Sequence, residues 1–170
     1  RETLSSLLSY YEEAYLVFSL GDLNRALADN PRSSSKVYSV DPGLFTAFSK
    51  AASKEVGQRL ETAVFNKLRR LAPVVRTGAL ARLTFEHEKK SHEIDFVMGD
   101  ALLGDAYRLI QVSVDVTNPK TLQREVSALA AGMLKYGIDE SVFVTMDSEE
   151  AIETPSGIIR VVPAWKWLID

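Results

Sequence analysis

The chain has 170 residues, 46% of them hydrophobic and 25% charged, with a formal net charge of −3. That is one ordinary domain with material for a core, without the positive excess of a general nucleic-acid coat protein. Cysteine is absent, which excludes disulfides and thiolate metal sites, and with no apolar run of membrane-spanning length and no signal-peptide pattern the expectation is a cytoplasmic chain without membrane partners.

Charge is unevenly distributed. Residues 50–90 hold ten Lys or Arg against four Asp or Glu, whereas the remainder is acidic. A basic segment on an acidic chain suits phosphate contact. If nucleic acid binds, Lys67, Arg69, Arg70, Arg76, Lys89 and Lys90 are the expected contacts.

The chain begins in a helical pattern, with Leu4, Leu7, Leu8, Tyr11 and Tyr15 at helical spacing. Tyr15–Leu20 and Lys36–Val40 read as strands, with Asp41-Pro-Gly43 as the turn that ends the second. The loop between them, 21–35, ends in Asn-Pro-Arg-Ser-Ser-Ser. This helix and ribbon, residues 1–42, look like the back half of a winged helix attached to a main domain over 43–170. A short helix follows Gly43. Gly57–Leu71 is strongly amphipathic, with Leu60, Ala63, Val64, Leu68 and Leu71 on one arc. Glu61 falls inside that arc, within about 20° of Leu68 at 100° per residue. A carboxylate there needs an ion-pair partner, a hydrogen bond or a metal.

Ala81–Glu88 alternates as a strand and turns at Lys89-Lys90-Ser91 into Glu93–Asp100. Alternation puts Ile94, Phe96 and Met98 on one face, with Asp95 on the other. In the next run, Ile110, Val112, Val114 and Val116 form a β-branched face, and Gln111, Ser113 and Asp115 point away from it. Asp95, Gln111 and Ser113 are therefore expected on one side of a hairpin. Asn118-Pro119 begins a helix that Gly137 ends. Ser141–Met146 and Gly157–Val162 read as strands, and the apolar tail Ala164–Leu168 closes the core.

The stretches SYYEEAYLVFSL, KVYSVDPGL, GQRLETAVFNKLRR, HEIDFVMGD, RLIQVSVDV, LQREVSALAAGMLKYG and VVPAWKWLI together resemble a domain of unknown function that follows the AAA+ ATPase module in many bacterial and archaeal proteins. The resemblance implies an α/β fold of the restriction-endonuclease-like, PD-(D/E)xK type: a mixed sheet flanked by helices. In active members of that superfamily, a helix Glu, a strand Asp and a further strand acid bind Mg²⁺, and a lysine helps to activate water. Here Glu61 and Asp95 match the first two. Gln111 stands at the second strand acid and Ser113 at the lysine. Both departures put cleavage in doubt, since Mg²⁺ favours carboxylate oxygens and an ammonium stabilises developing charge. Metal, if bound, is expected weakly at Glu61 and Asp95. Gln111→Glu with Ser113→Lys is expected to raise metal affinity. There is no GxxxxGK[ST] signature, so ATP is expected only in a module preceding Arg1.

Three readings follow. The first is an accessory domain of an AAA+ ATPase with a degraded site, binding DNA or a protein partner. The second is an active, divergent Mg²⁺-dependent nuclease. The third is a purely structural or oligomerisation domain, homo-oligomeric in the latter case, with no nucleic-acid contact.

Overall fold

A computed structural model describes residues 2–23, 35–48, 55–72, 79–100, 103–114 and 116–169. Most of the expected 21–35 loop, Arg76 and Asp115 lie outside them. In chain order the elements are α1 (Glu2–Glu13), β1 (Val17–Leu20), β2 (Lys36–Ser39), α2 (Gly43–Phe48), α3 (Glu55–Leu71), β3 (Leu80–His87), β4 (Lys90–Asp100), β5 (Asp105–Val112), α4 (Pro119–Tyr136), β6 (Glu140–Thr145), β7 (Glu150–Thr154), β8 (Gly157–Pro163) and α5 (Ala164–Ile169). No helix among the described residues is long and apolar enough to cross a membrane.

A six-stranded sheet carries the fold in the order β3-β4-β5-β6-β8-β7. The β3–β4–β5 segment is antiparallel, β5–β6 and β6–β8 are parallel, and β7 returns antiparallel on the far edge. A parallel step from β5 to β6 needs a crossover, and α4 supplies it. Asn118 caps that helix by accepting from the Lys120 N–H at 3.0 Å, Pro119 follows, and Gly137 closes it in the left-handed region with φ 65°.

Helices cover both faces, so the central strands are apolar on both sides. On one face Leu129 and Met133 of α4 pack against Leu83, Ile94, Leu109, Phe143 and Ile159. On the other, Leu60, Val64, Phe65 and Leu68 of α3 pack against Phe96, Ile110 and Val144. Leu20 and Tyr38 of the β1–β2 ribbon belong to this second cluster, so the ribbon of the 1–42 segment shares a core with the domain that follows it. Tyr38 stacks on Phe65 with ring centres 4.3 Å apart, and Asn66 Nδ2 donates to the Ser39 and Val40 carbonyls at 3.1 Å each.

α4 closes tightly onto the sheet because Gly132 has no side chain. A Cβ there would stand 2.6 Å from Ile94 Cδ1 and 3.0 Å from Leu109 Cδ1. Both neighbours are fully buried, so Gly132→Ala overpacks the layer despite its better helix propensity. The expected cost is about 1–2 kcal/mol in urea unfolding, and a variant as stable as the parent would contradict this packing.

Strict alternation fails in β4 between Ile94 and Val97. Ala81 pairs with Val97 but Leu83 pairs with Ile94, so three steps on β4 face two on β3. This is a β-bulge with its extra residue at Asp95–Phe96. Ile94 and Val97 consequently face α4, whereas Phe96 faces α3. The expected grouping of Ile94 with Phe96 on one face is thereby corrected. β5 ends at Val112 rather than Val116. Beyond it Val114 packs beside the α3 cluster and Val116 beside the α4 cluster.

Candidate functional site

The elements meet in a cleft of about 490 Å³ at the end of β5, between the N-terminal part of α3 and the first turns of α4. Glu61 reaches it from α3, Glu93 and Asp95 from β4, Gln111 and Ser113 from β5 and its extension, and Glu125 from α4. Glu61, Asp95 and Gln111 are the residues that the sequence singles out, and the structure brings them together.

The group at the centre is one that sequence reasoning passed over. Lys36, the first residue of β2, places its ammonium 3.0 Å from Glu61 Oε1, 3.0 Å from Asp95 Oδ1 and 3.2 Å from Glu93 Oε1. Two residues on, Tyr38 donates its hydroxyl to Glu61 Oε1 at 2.6 Å. Ribbon alternation puts Lys36 and Tyr38 on the same inward face, with the partly buried Lys36 beside the fully buried Tyr38. That pattern was legible as a lysine pointing inward, although a ribbon with little basic character gave no reason to look.

Asp95 is held on both oxygens. Oδ1 takes the Lys36 ammonium and Oδ2 accepts the Val112 N–H at 3.1 Å. Gln111 answers from the facing strand, its Oε1 accepting the Asp95 N–H at 3.2 Å. Side chains here satisfy backbone groups where the two strands part. Gln111 is only 4% exposed, and its Nε2 donates to Glu125 Oε2 at 2.6 Å. Glu125 is itself buried and also accepts from the exposed Arg124. At 100° per residue it falls within about 20° of Tyr136 and about 40° of Leu129, on the side of α4 buried with Ala128, Gly132 and Met133, so its place was legible on the helical wheel although sequence reasoning passed it over. The expectation that Asp95 and Gln111 project to one side is therefore amended. Asp95 turns toward α3 and the ribbon, Gln111 turns toward α4, and both border the same cleft.

Electrostatics follow from this enclosure. Burial pushes the Asp95 carboxyl up to about 6 against the pull of Lys36, and Glu61 adds to the rise. Burial disfavours the charge on Lys36 as well, yet Asp95 and Glu61 outweigh it and hold the ammonium above its ordinary range. Both partners therefore shift upward, which favours the charged form of Lys36 and the neutral form of Asp95. At Asp95 burial outweighs the single ammonium, whereas at Lys36 the two acids Asp95 and Glu61 together outweigh burial. Burial and then Glu61 raise the Tyr38 hydroxyl well above its ordinary value. A buried acid kept near its titration range is a mark of functional sites.

Mg²⁺ does not fit these residues. The Glu61 and Asp95 oxygens that would bind it are occupied by an ammonium, and Gln111 brings a neutral amide committed to Asp95 and Glu125. With the ammonium in place, no group of three or more His, Asp or Glu among the described residues is arranged to hold a metal ion. Ser113 lines the cleft without supplying a cation.

The expected phosphate-binding residues are not brought together. Lys67 donates to the Trp167 carbonyl and lies 4.6 Å from the centre of its ring. Arg69 sits 3.8 Å over Phe18. Arg70 is exposed at the same end of α3, beside a groove with Lys67 and Leu168. Lys89 and Lys90 are exposed at the turn after β3, while Arg69 borders a hollow with Leu80, the first residue of that strand. An eight-residue strand separates the two groups, about 25 Å at the usual rise.

In sequence, the chain is 30% identical over 173 aligned positions to an uncharacterized protein of Methanocaldococcus jannaschii, an alignment covering 98% of this chain and 36% of that protein. The chain thus spans about a third of the length of the curated relative it matches. No family model matches the chain, and no solved structure matches it.

Proposed function

We propose that this chain is a nuclease-like accessory domain of an AAA+ ATPase whose site has lost cleavage and serves binding. The observation that carries the reading is the Lys36 ammonium lying 3.0 Å from both Glu61 and Asp95. The meeting of a helix acid and a strand acid supports a restriction-endonuclease-like site, but the charge they share belongs to the chain. Helix α3, the antiparallel β3–β4–β5 segment, the α4 crossover and parallel β6 support that fold. The greater length of the archaeal relative supports a further module in the same polypeptide. Division of the basic residues between two ends of β3 favours a protein partner over DNA.

A second reading rests on the same lysine. With Ser113 at the usual lysine position, Lys36 offers an ammonium to Asp95 from another strand, as an active nuclease requires. Incubation with supercoiled plasmid and Mg²⁺ or Mn²⁺ separates the two. The expected result is uncut plasmid. Nicking by the unaltered chain that disappears in Asp95→Ala promotes the active-nuclease reading instead.

A further inference from the structure

Three carboxylate oxygens lie within 3.2 Å of the Lys36 nitrogen, and an ammonium has three N–H donors. Resting on the non-cleaving reading above, we propose that Lys36 is a tethered replacement for a divalent cation, so that the chain itself supplies the positive charge around which the acid cluster is built.

The ammonium is fixed by its support. Tyr38 anchors the ribbon through its stack on Phe65 and its bond to Glu61, and Asn66 holds the ribbon backbone at Ser39 and Val40. A lysine side chain ordinarily loses considerable rotamer freedom when pinned. Here the ribbon is immobilised by contacts of its own, and the lysine spans only the last step. Arg82 is a second cation at the rim, 3.5 Å from Glu93 Oε1 and 3.9 Å from the buried Asp22. Its charge is directed to Glu93 and Asp22, whereas Lys36 bonds to both Glu61 and Asp95. An ammonium satisfies acids as a point charge but lacks the open coordination positions with which a metal polarises water. The same exchange that makes the fold independent of metal removes the Lewis acid.

Removing the lysine should leave three acids without their shared counter-charge and open the cluster to a divalent cation. Unfolding midpoints are to be compared in EDTA and in Mn²⁺ for the unaltered chain, Lys36→Met, and Lys36→Met with Asp95→Asn. The unaltered chain is expected to shift by less than about 1 °C. Lys36→Met should be destabilised in EDTA and gain about 5–10 °C at Mn²⁺ a hundredfold above its Kd. The double variant should lose that gain. Should Lys36→Met fold only with Mn²⁺, the proposal stands. An unresponsive Lys36→Met, its failure to fold under either condition, or an equal shift in the unaltered chain overturns it. Plasmid cleavage by the unaltered chain overturns the non-cleaving reading, whereas an unresponsive Lys36→Met overturns the tethered cation alone.

Discussion

Gln111→Leu is expected to lower the unfolding free energy by about 3–5 kcal/mol. Leucine has a similar volume, so the cost is not a cavity. Two buried groups lose their partner at once: the Asp95 N–H, which donates to Gln111 Oε1 at 3.2 Å, and Glu125 Oε2, which accepts from Gln111 Nε2 at 2.6 Å. Leaving a buried neutral donor unpaired costs about 1–3 kcal/mol, and a hydrogen bond to a charged group contributes about 1.5–3. Urea unfolding at neutral pH measures the sum, and a loss below about 1 kcal/mol would contradict this bonding. The same geometry bears on Gln111→Glu, which with Ser113→Lys is expected from sequence to raise metal affinity. A carboxylate placed there confronts Glu125 rather than a metal, so the substitution should destabilise the fold with or without Ser113→Lys. Exchanging the pair, as Gln111→Glu with Glu125→Gln, restores one donor and one acceptor and should recover at least half of the loss. Double-mutant analysis reads that coupling directly.

The second large effect is a dependence on pH. The Asp95 carboxyl titrates near 6 in the fold against an ordinary value of 3.8. Below 3.8 it is protonated in both states and has no effect on folding. As pH rises from there, the unfolded chain ionises first and stability is lost progressively until the folded carboxyl also ionises near 6. The full span corresponds to about 3 kcal/mol. Asp95→Asn removes this titration. The stability of the unaltered chain relative to Asp95→Asn should therefore decline by about 2–3 kcal/mol between pH 4 and 7. A difference that is flat across that range, or that rises with pH, would show that burial does not dominate at Asp95.

Much of the frame could be read from residue order. The Asn118-Pro119 start and Gly137 stop of α4, the amphipathic α3 and the three strands between them have local causes in capping, periodicity and turn chemistry. Strand β7 escaped notice because Glu150–Thr154 is short, polar and half exposed, as an edge strand can be. The bulge at Asp95–Phe96 also escaped, because one extra residue is invisible to an alternation rule that assumes none. At the site, Glu61 and Asp95 stood out as acids on apolar elements. Lys36 did not, since its meaning depends on contacts across 25 and 59 residues, and Glu125 was passed over although its side of α4 was legible. Sequence periodicity describes which face a side chain takes, and it is silent on what that face meets.

Lys36 lies 25 residues before Glu61 and 59 before Asp95. A ribosome adding about 5–20 residues per second therefore delivers the counter-charge seconds before the last acid that needs it. A site assembled around a diffusible ion must wait for the ion after its ligands are made. On the tethered-cation proposal the supply is part of the message, present at one copy per chain. Translation order brings the lysine first, and the Tyr38 and Asn66 contacts then hold it against the acids.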